Sequence, residues 1–134
     1  MPAFPCNWLV GWSLVLIGFL SGSVLGLFFH REDFLGGYGS FRRRLFRLGH
    51  IAFVALGLMN VLFSISAAPL GTGWEAALAS GGFIVGGVTM PLMCFLTGWR
   101  DTFRHGLAVP VAALLIAVTA TMLGGLPCVL ACWP

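Results

Sequence analysis

The chain has 134 residues, of which 59% are hydrophobic and 8% charged, with a formal net charge of +3. Soluble domains carry roughly 25% charged residues, so this composition excludes a soluble enzyme and places the chain in a lipid bilayer. The surplus positive charge is read as an orientation signal and implies no nucleic acid partner.

A membrane span needs about 20 mostly apolar residues, and four stretches qualify: residues 8–29, 45–66, 76–97 and 107–126. They predict an all-α polytopic membrane protein, a single transmembrane domain over residues 1–134 built as a four-transmembrane-helix bundle. The opening MPAFPCNW lacks the basic start of a cleaved signal peptide, and the charges follow the apolar run, so span one is expected to be retained. Along it Gly18, Gly22 and Gly26 recur four apart, a ridge that lets another helix approach closely. The expected mate is the Gly82-x-x-x-Gly86 face of span three.

His30, Arg31, Glu32 and Asp33 close the first span, and FLGGYGSF follows as a glycine-rich turn. The turn is not a phosphate loop, since that motif needs a lysine and the chain has none. Four arginines come next, at 42, 43, 44 and 47. An arginine at mid-bilayer costs roughly 2.5–3.5 kcal/mol, so these side chains belong at a membrane face. All seven basic residues are arginines, confined to 31–47 and to positions 100 and 104. The excess of positive charge on cytoplasmic loops then predicts that both termini and the 67–75 loop lie on the non-cytoplasmic side. Anionic headgroups are the expected partners of the arginine loops. Trp8, Trp12, Trp74 and Trp133 would mark the outer interface, and Trp99 and Tyr38 the inner one. Arginine without lysine, with abundant Gly, Ala and Leu, suits a GC-rich genome and a bacterial inner membrane.

Within span two, His50, Phe53, Gly57, Asn60 and Ser64 fall at steps of three and four and form one polar stripe, which should face other helices. Asn60 is expected to make an interhelical hydrogen bond. Span three carries Pro91, where a kink is expected, beside the soft cluster Met90, Met93 and Cys94. Span four holds Pro110 in its first turn and is expected to end at Gly124-Gly125-Leu126-Pro127, with CVLACWP as a tail outside.

Three constellations could carry chemistry. A b-type haem would take His50 as one axial ligand and Met93 or His105 as the other, with Arg47, its neighbours from 42 onward and Arg104 on the propionates. A Cu(I) site would draw on Met90, Met93, Cys94 and His50. Cys6 could form a disulfide with Cys128 or Cys132, all expected outside, drawing spans one and four together. Set against these, the favoured reading of His50 is a neutral imidazole near the interface, hydrogen-bonded to a neighbouring helix or to lipid headgroups. No zinc-protease, nucleophile-elbow or dinucleotide motif occurs, and no ionisable residue falls near mid-membrane. The expected role is therefore a non-catalytic integral membrane subunit or accessory protein, packed in a larger membrane complex or with itself, and the alternative is a haem b electron carrier.

Overall fold

The computed structural model of the protein describes residues 3–132, and of residues 128, 129, 131 and 132 the backbone alone. Among the described residues it is all-helical, with α1 over Pro5–Phe28, α2 over Phe41–Ser66, α3 over Trp74–Trp99 and α4 over Ala108–Cys132. Short 3-10 turns at Phe34–Gly36, Ala68–Leu70 and Asp101–Leu107 join them. Among the described residues four helices are long and apolar enough to cross a membrane. At 1.5 Å per residue, the 24 residues of α1 reach roughly 36 Å.

Local chemistry sets the ends. Pro5 stands in the first turn of α1, where its fixed φ suits the helix and its missing N–H costs nothing, so the helix starts ahead of residue 8. Ser40 caps α2: its Oγ accepts from the Arg43 N–H at 3.1 Å and donates to the Leu35 carbonyl at 2.7 Å. The helix therefore begins at Phe41, and the arginines expected outside the span form its first two turns. At the other end the expected stop at Pro127 is corrected, because α4 runs on to Cys132. A proline removes a single N–H, apolar residues continue beyond it, and membrane helices tolerate such a break. Likewise α3 is one helix through its buried Pro91.

Helices that follow one another in the chain pair: α1 on α2, α2 on α3 and α3 on α4, with a smaller contact between α1 and α3. This corrects the expected mating of the two glycine faces. A Cβ on Gly11 would stand 2.7 Å from the Gly57 carbonyl oxygen, and one on Gly57 would stand 2.7 Å from that of Gly11. Gly18 and Gly22 meet Val54 and His50 of α2, so the ridge of α1 is filled by its chain neighbour. Gly82 and Gly86 in turn receive Ala113, Ala117 and Leu114 of α4. Short connections make antiparallel neighbours, and those neighbours occupy both glycine faces before α1 and α3 can share them.

At the end away from the arginines, Phe63 of α2 and Ala67 just past its end, Ala79 and Phe83 of α3, and Ala117 and Ala120 of α4 close one core, with Phe4 against it. Outward-facing Leu, Ile, Val and Phe side chains cover the helix surfaces. Trp8, Trp12, Trp74, Trp99 and Tyr38 are all exposed.

The Gly11–Gly57 approach gives a sharp contrast between two substitutions. Gly57→Leu should force α1 off α2 and cost roughly 1–3 kcal/mol, the usual penalty of overpacking. Gly26→Ala, with nothing within 4 Å of the added methyl, should leave stability unchanged. Unfolding of the purified protein in mixed micelles, followed by circular dichroism, separates the two; equal behaviour would contradict the packing of α1 on α2.

Candidate functional site

The polar stripe of α2 begins the site. Asn60 is 1% exposed and Asn7, on α1, is 0% exposed, so neither amide has water to bond and each must find protein. Asn7 Nδ2 donates to Asn60 Oδ1 at 3.0 Å and to the Ser80 carbonyl at 3.2 Å. Ser80 Oγ donates to Asn7 Oδ1 at 2.6 Å. Asn60 Nδ2 donates to the carbonyls of Phe83 at 2.9 Å and Leu56 at 3.0 Å. Both amides thus spend both N–H groups, and α1, α2 and α3 are tied at one level. Gly87 makes the room: a Cβ there would stand 2.8 Å from Asn60 Nδ2.

Nearer the arginines, His50 is half-buried against α1. Its Nδ1 lies 2.9 Å from the Gly18 carbonyl oxygen and 3.4 Å from Ser21 Oγ. A carbonyl only accepts, so Nδ1 carries the proton in this bond. The ring edge bearing Cε1 and both nitrogens faces Gly22, whose missing side chain is the notch it fills.

At the arginine end, the first turn of α2 reaches in two directions. Arg43, 3% exposed, donates from Nη2 to the Phe29 carbonyl at 2.7 Å and from Nη1 to that of Arg31 at 3.4 Å. These carbonyls belong to the C-cap of α1 and the turn just past it, where a cation also meets the negative end of the helix dipole. Its guanidinium lies 4.7 Å from the Phe29 ring centre and 5.4 Å from that of Tyr38, while Arg47 stands 5.3 Å from the same tyrosine. Arg42 does the matching work on α3, donating from Nε to the Gly98 carbonyl at 2.7 Å.

The remaining candidates face different neighbours. Met93 packs its sulfur on Gly106 in the turn before α4, whereas His50 lies on α1. Buried Cys94 sits with Phe95 against Gly49 of α2, and Met90 is half-buried on α3. His105 is exposed and accepts at Nε2 from Arg104 Nε at 3.4 Å. Met93 and His50 therefore turn to different neighbours, while Cys94 lies against the residue before His50. Cys6 is exposed, and the side chains of Cys128 and Cys132, its expected disulfide partners, lie outside the described residues, as does Trp133. Among the described residues no group of three or more His, Cys, Asp or Glu side chains assembles.

Two parts of this arrangement are absent from the residue pattern of any one span: the pairing of Asn7 and Ser80 with Asn60, and the capping by Arg42 and Arg43. Depth was the available signal for the first. Asn7, Asn60 and Ser80 each lie within two turns of the same membrane face once the helices are laid antiparallel. The class that fold and site define is an all-helical chain with four helices fit to span a bilayer and a hydrogen-bonded interior. No family model, curated protein or solved structure matches it.

Two measurements probe the site. Asn60→Leu strips Asn7 of its acceptor and should cost about 1–3 kcal/mol, the penalty for orphaning a buried donor. In Asn7→Leu/Asn60→Leu the losses should fall short of additivity by about 0.6 kcal/mol, and at most roughly 1.7, as for other interhelical bonds in bilayers. Strict additivity in a double-mutant cycle of micelle unfolding would show that the amides act independently. Arg43→Ala should loosen the 29–40 turn and speed chymotryptic cutting at Phe34 and Tyr38 severalfold; an unchanged rate would mean that the caps hold nothing.

Proposed function

We propose that the protein is a non-catalytic integral membrane subunit or accessory protein that packs within a larger membrane complex or with its own copies. The observation that supports this reading is the Asn7–Asn60–Ser80 network. The two buried amides are consumed in holding helices together, which is the work of a scaffold. His50 supports it in the same way, since its proton goes to the α1 backbone and its ring fills the Gly22 notch. The arginine loops face the cytoplasm among anionic headgroups, both termini and the turn at residues 67–73 lie on the opposite side, and the membrane is a bacterial inner membrane.

Solubilised native membranes run on a non-denaturing gel test the subunit role. The chain should migrate in a particle far larger than its own 14.3 kDa, and migration as a monomer would overturn the proposal. The purified protein should be colourless; a Soret band that disappears in His50→Ala would favour the haem carrier instead. Orientation is tested with single cysteines in a chain whose native cysteines are replaced. Thr72→Cys should react with an impermeant maleimide in intact cells and Gly39→Cys only after permeabilisation, and the reverse order would invert the topology.

A further inference from the structure

A groove of about 380 Å³ opens at the arginine end, between the start of α2 and the end of α3, lined by Ser40, Phe41, Arg42, Gly98, Trp99 and Asp101. Its polar walls carry opposite charges. Arg42 is anchored by its Nε on the Gly98 carbonyl, and its Nη groups make no other hydrogen bond among the described residues. Asp101, exposed at the start of the turn before α4, forms no ion pair there; the one ion pair among the described residues joins Arg31 to Asp33. A cation and a carboxylate thus line one groove without closing on each other. Phe41 and Trp99, 62% and 72% exposed, stand beside them at the depth where aromatic side chains meet headgroups.

We propose that this groove binds the headgroup of a zwitterionic phospholipid with a primary amine, a phosphatidylethanolamine. The phosphate lies on the free Nη groups of Arg42, and the ammonium donates to the Asp101 carboxylate. Arginine matches a phosphate with paired donors. The N–H groups of Phe41 and Arg42, in the first turn of α2, have no acceptor within the helix, and both residues line the groove. The glycerol and acyl chains leave across Trp99 and Phe41 toward the hydrocarbon. Charge decides against the other common headgroups. Arg42 and Asp101 sum to zero, so an anionic phosphatidylglycerol leaves the carboxylate facing a negative ligand. A choline headgroup offers that carboxylate a cation with no N–H to donate. The proposal rests on the membrane-spanning reading but not on the subunit role.

The test uses the full chain, delipidated in mild detergent and equilibrated with vesicles of dioleoyl phosphatidylethanolamine, phosphatidylcholine and phosphatidylglycerol in equal parts. Native mass spectrometry then reads the retained lipid. Phosphatidylethanolamine should be held in about tenfold excess over each of the others, the discrimination that one charge-assisted hydrogen bond supplies. Asp101→Asn should bring the ratio to phosphatidylglycerol down to about one, with unchanged helicity and thermal stability. Arg42→Gln should lower retention of all three lipids, and Arg31→Gln, outside the groove, should change nothing. Wild-type preference for phosphatidylglycerol, or an ethanolamine preference that survives in Asp101→Asn, would overturn the assignment. Displacement of the lipid by an equal concentration of soluble glycerophosphoethanolamine would overturn the bilayer as its source. Failure to enter vesicles of any composition would remove the membrane-spanning reading itself, whereas entry without preference removes the groove alone.

Discussion

A buried amide with no water to turn to is the constraint from which the packing follows. Asn60 sits in the interior of α2, and its two N–H groups and its oxygen must all be met by the chain. They are met only if α1 presents Asn7 and α3 presents the Phe83 carbonyl at that level. Fixing those partners fixes the antiparallel register of α1 on α2. Asn7 opposes Asn60, Gly11 opposes Gly57, Gly18 opposes Val54 and Gly22 opposes His50. On α1 the positions Asn7, Gly11, Leu14, Gly18 and Leu25 alternate steps of three, four and seven, the spacing of a seam that stays turned toward one partner. The amides choose the register, and the glycines let the backbones come close enough for the amides to bond.

The opposite end solves a different electrostatic problem. Arginines crowd the first turns of α2, where a helix carries its own partial positive charge, so for α2 alone the arrangement is unfavourable. It becomes favourable because α1 and α3 run antiparallel to α2 and present their C-terminal carbonyls at the same face. Arg43 takes those of α1 and Arg42 takes one of α3. One short basic segment therefore neutralises the ends of two neighbouring helices, and the antiparallel order imposed by short loops is what makes its charge useful.

The number and nature of the elements were legible from the sequence, because twenty-odd apolar residues bounded by charges have few other solutions in a bilayer. The inward face of α2 was legible too, since polar residues at helical spacing have nowhere else to turn. The mates of the glycine faces were not. A small-residue ridge states that something comes close without stating what, and both Gly18 and Gly82 were claimed by the helix next in the chain. The end of α4 was misread for a local reason: Pro127 looks like a stop only where water can take over the carbonyls it frees, and apolar residues on both sides remove that option. Arg43 was hidden because a guanidinium was assigned to solvent. Once bonded to Phe29 and Arg31 and stacked by aromatic rings, it belongs to the protein interior.

The two ends differ in how completely their polar groups are matched, and the difference bears on where function resides. At the Asn7 end, the side-chain amides and Ser80 hydroxyl all find partners in the protein. At the arginine end, two buried groups do not: Arg43 Nε in the first turn of α2 and Thr97 Oγ1 in the last turn of α3. Leu35, in the turn between α1 and α2, also holds a φ of 56°, a conformation that a branched side chain adopts only when its surroundings impose it. Unmatched polar atoms and backbone strain gather where a fold serves something besides its own stability. The amide network holds the helices together and leaves the arginine end free to carry these costs, and it is at that end that Arg42 and Asp101 line a groove with unspent charge.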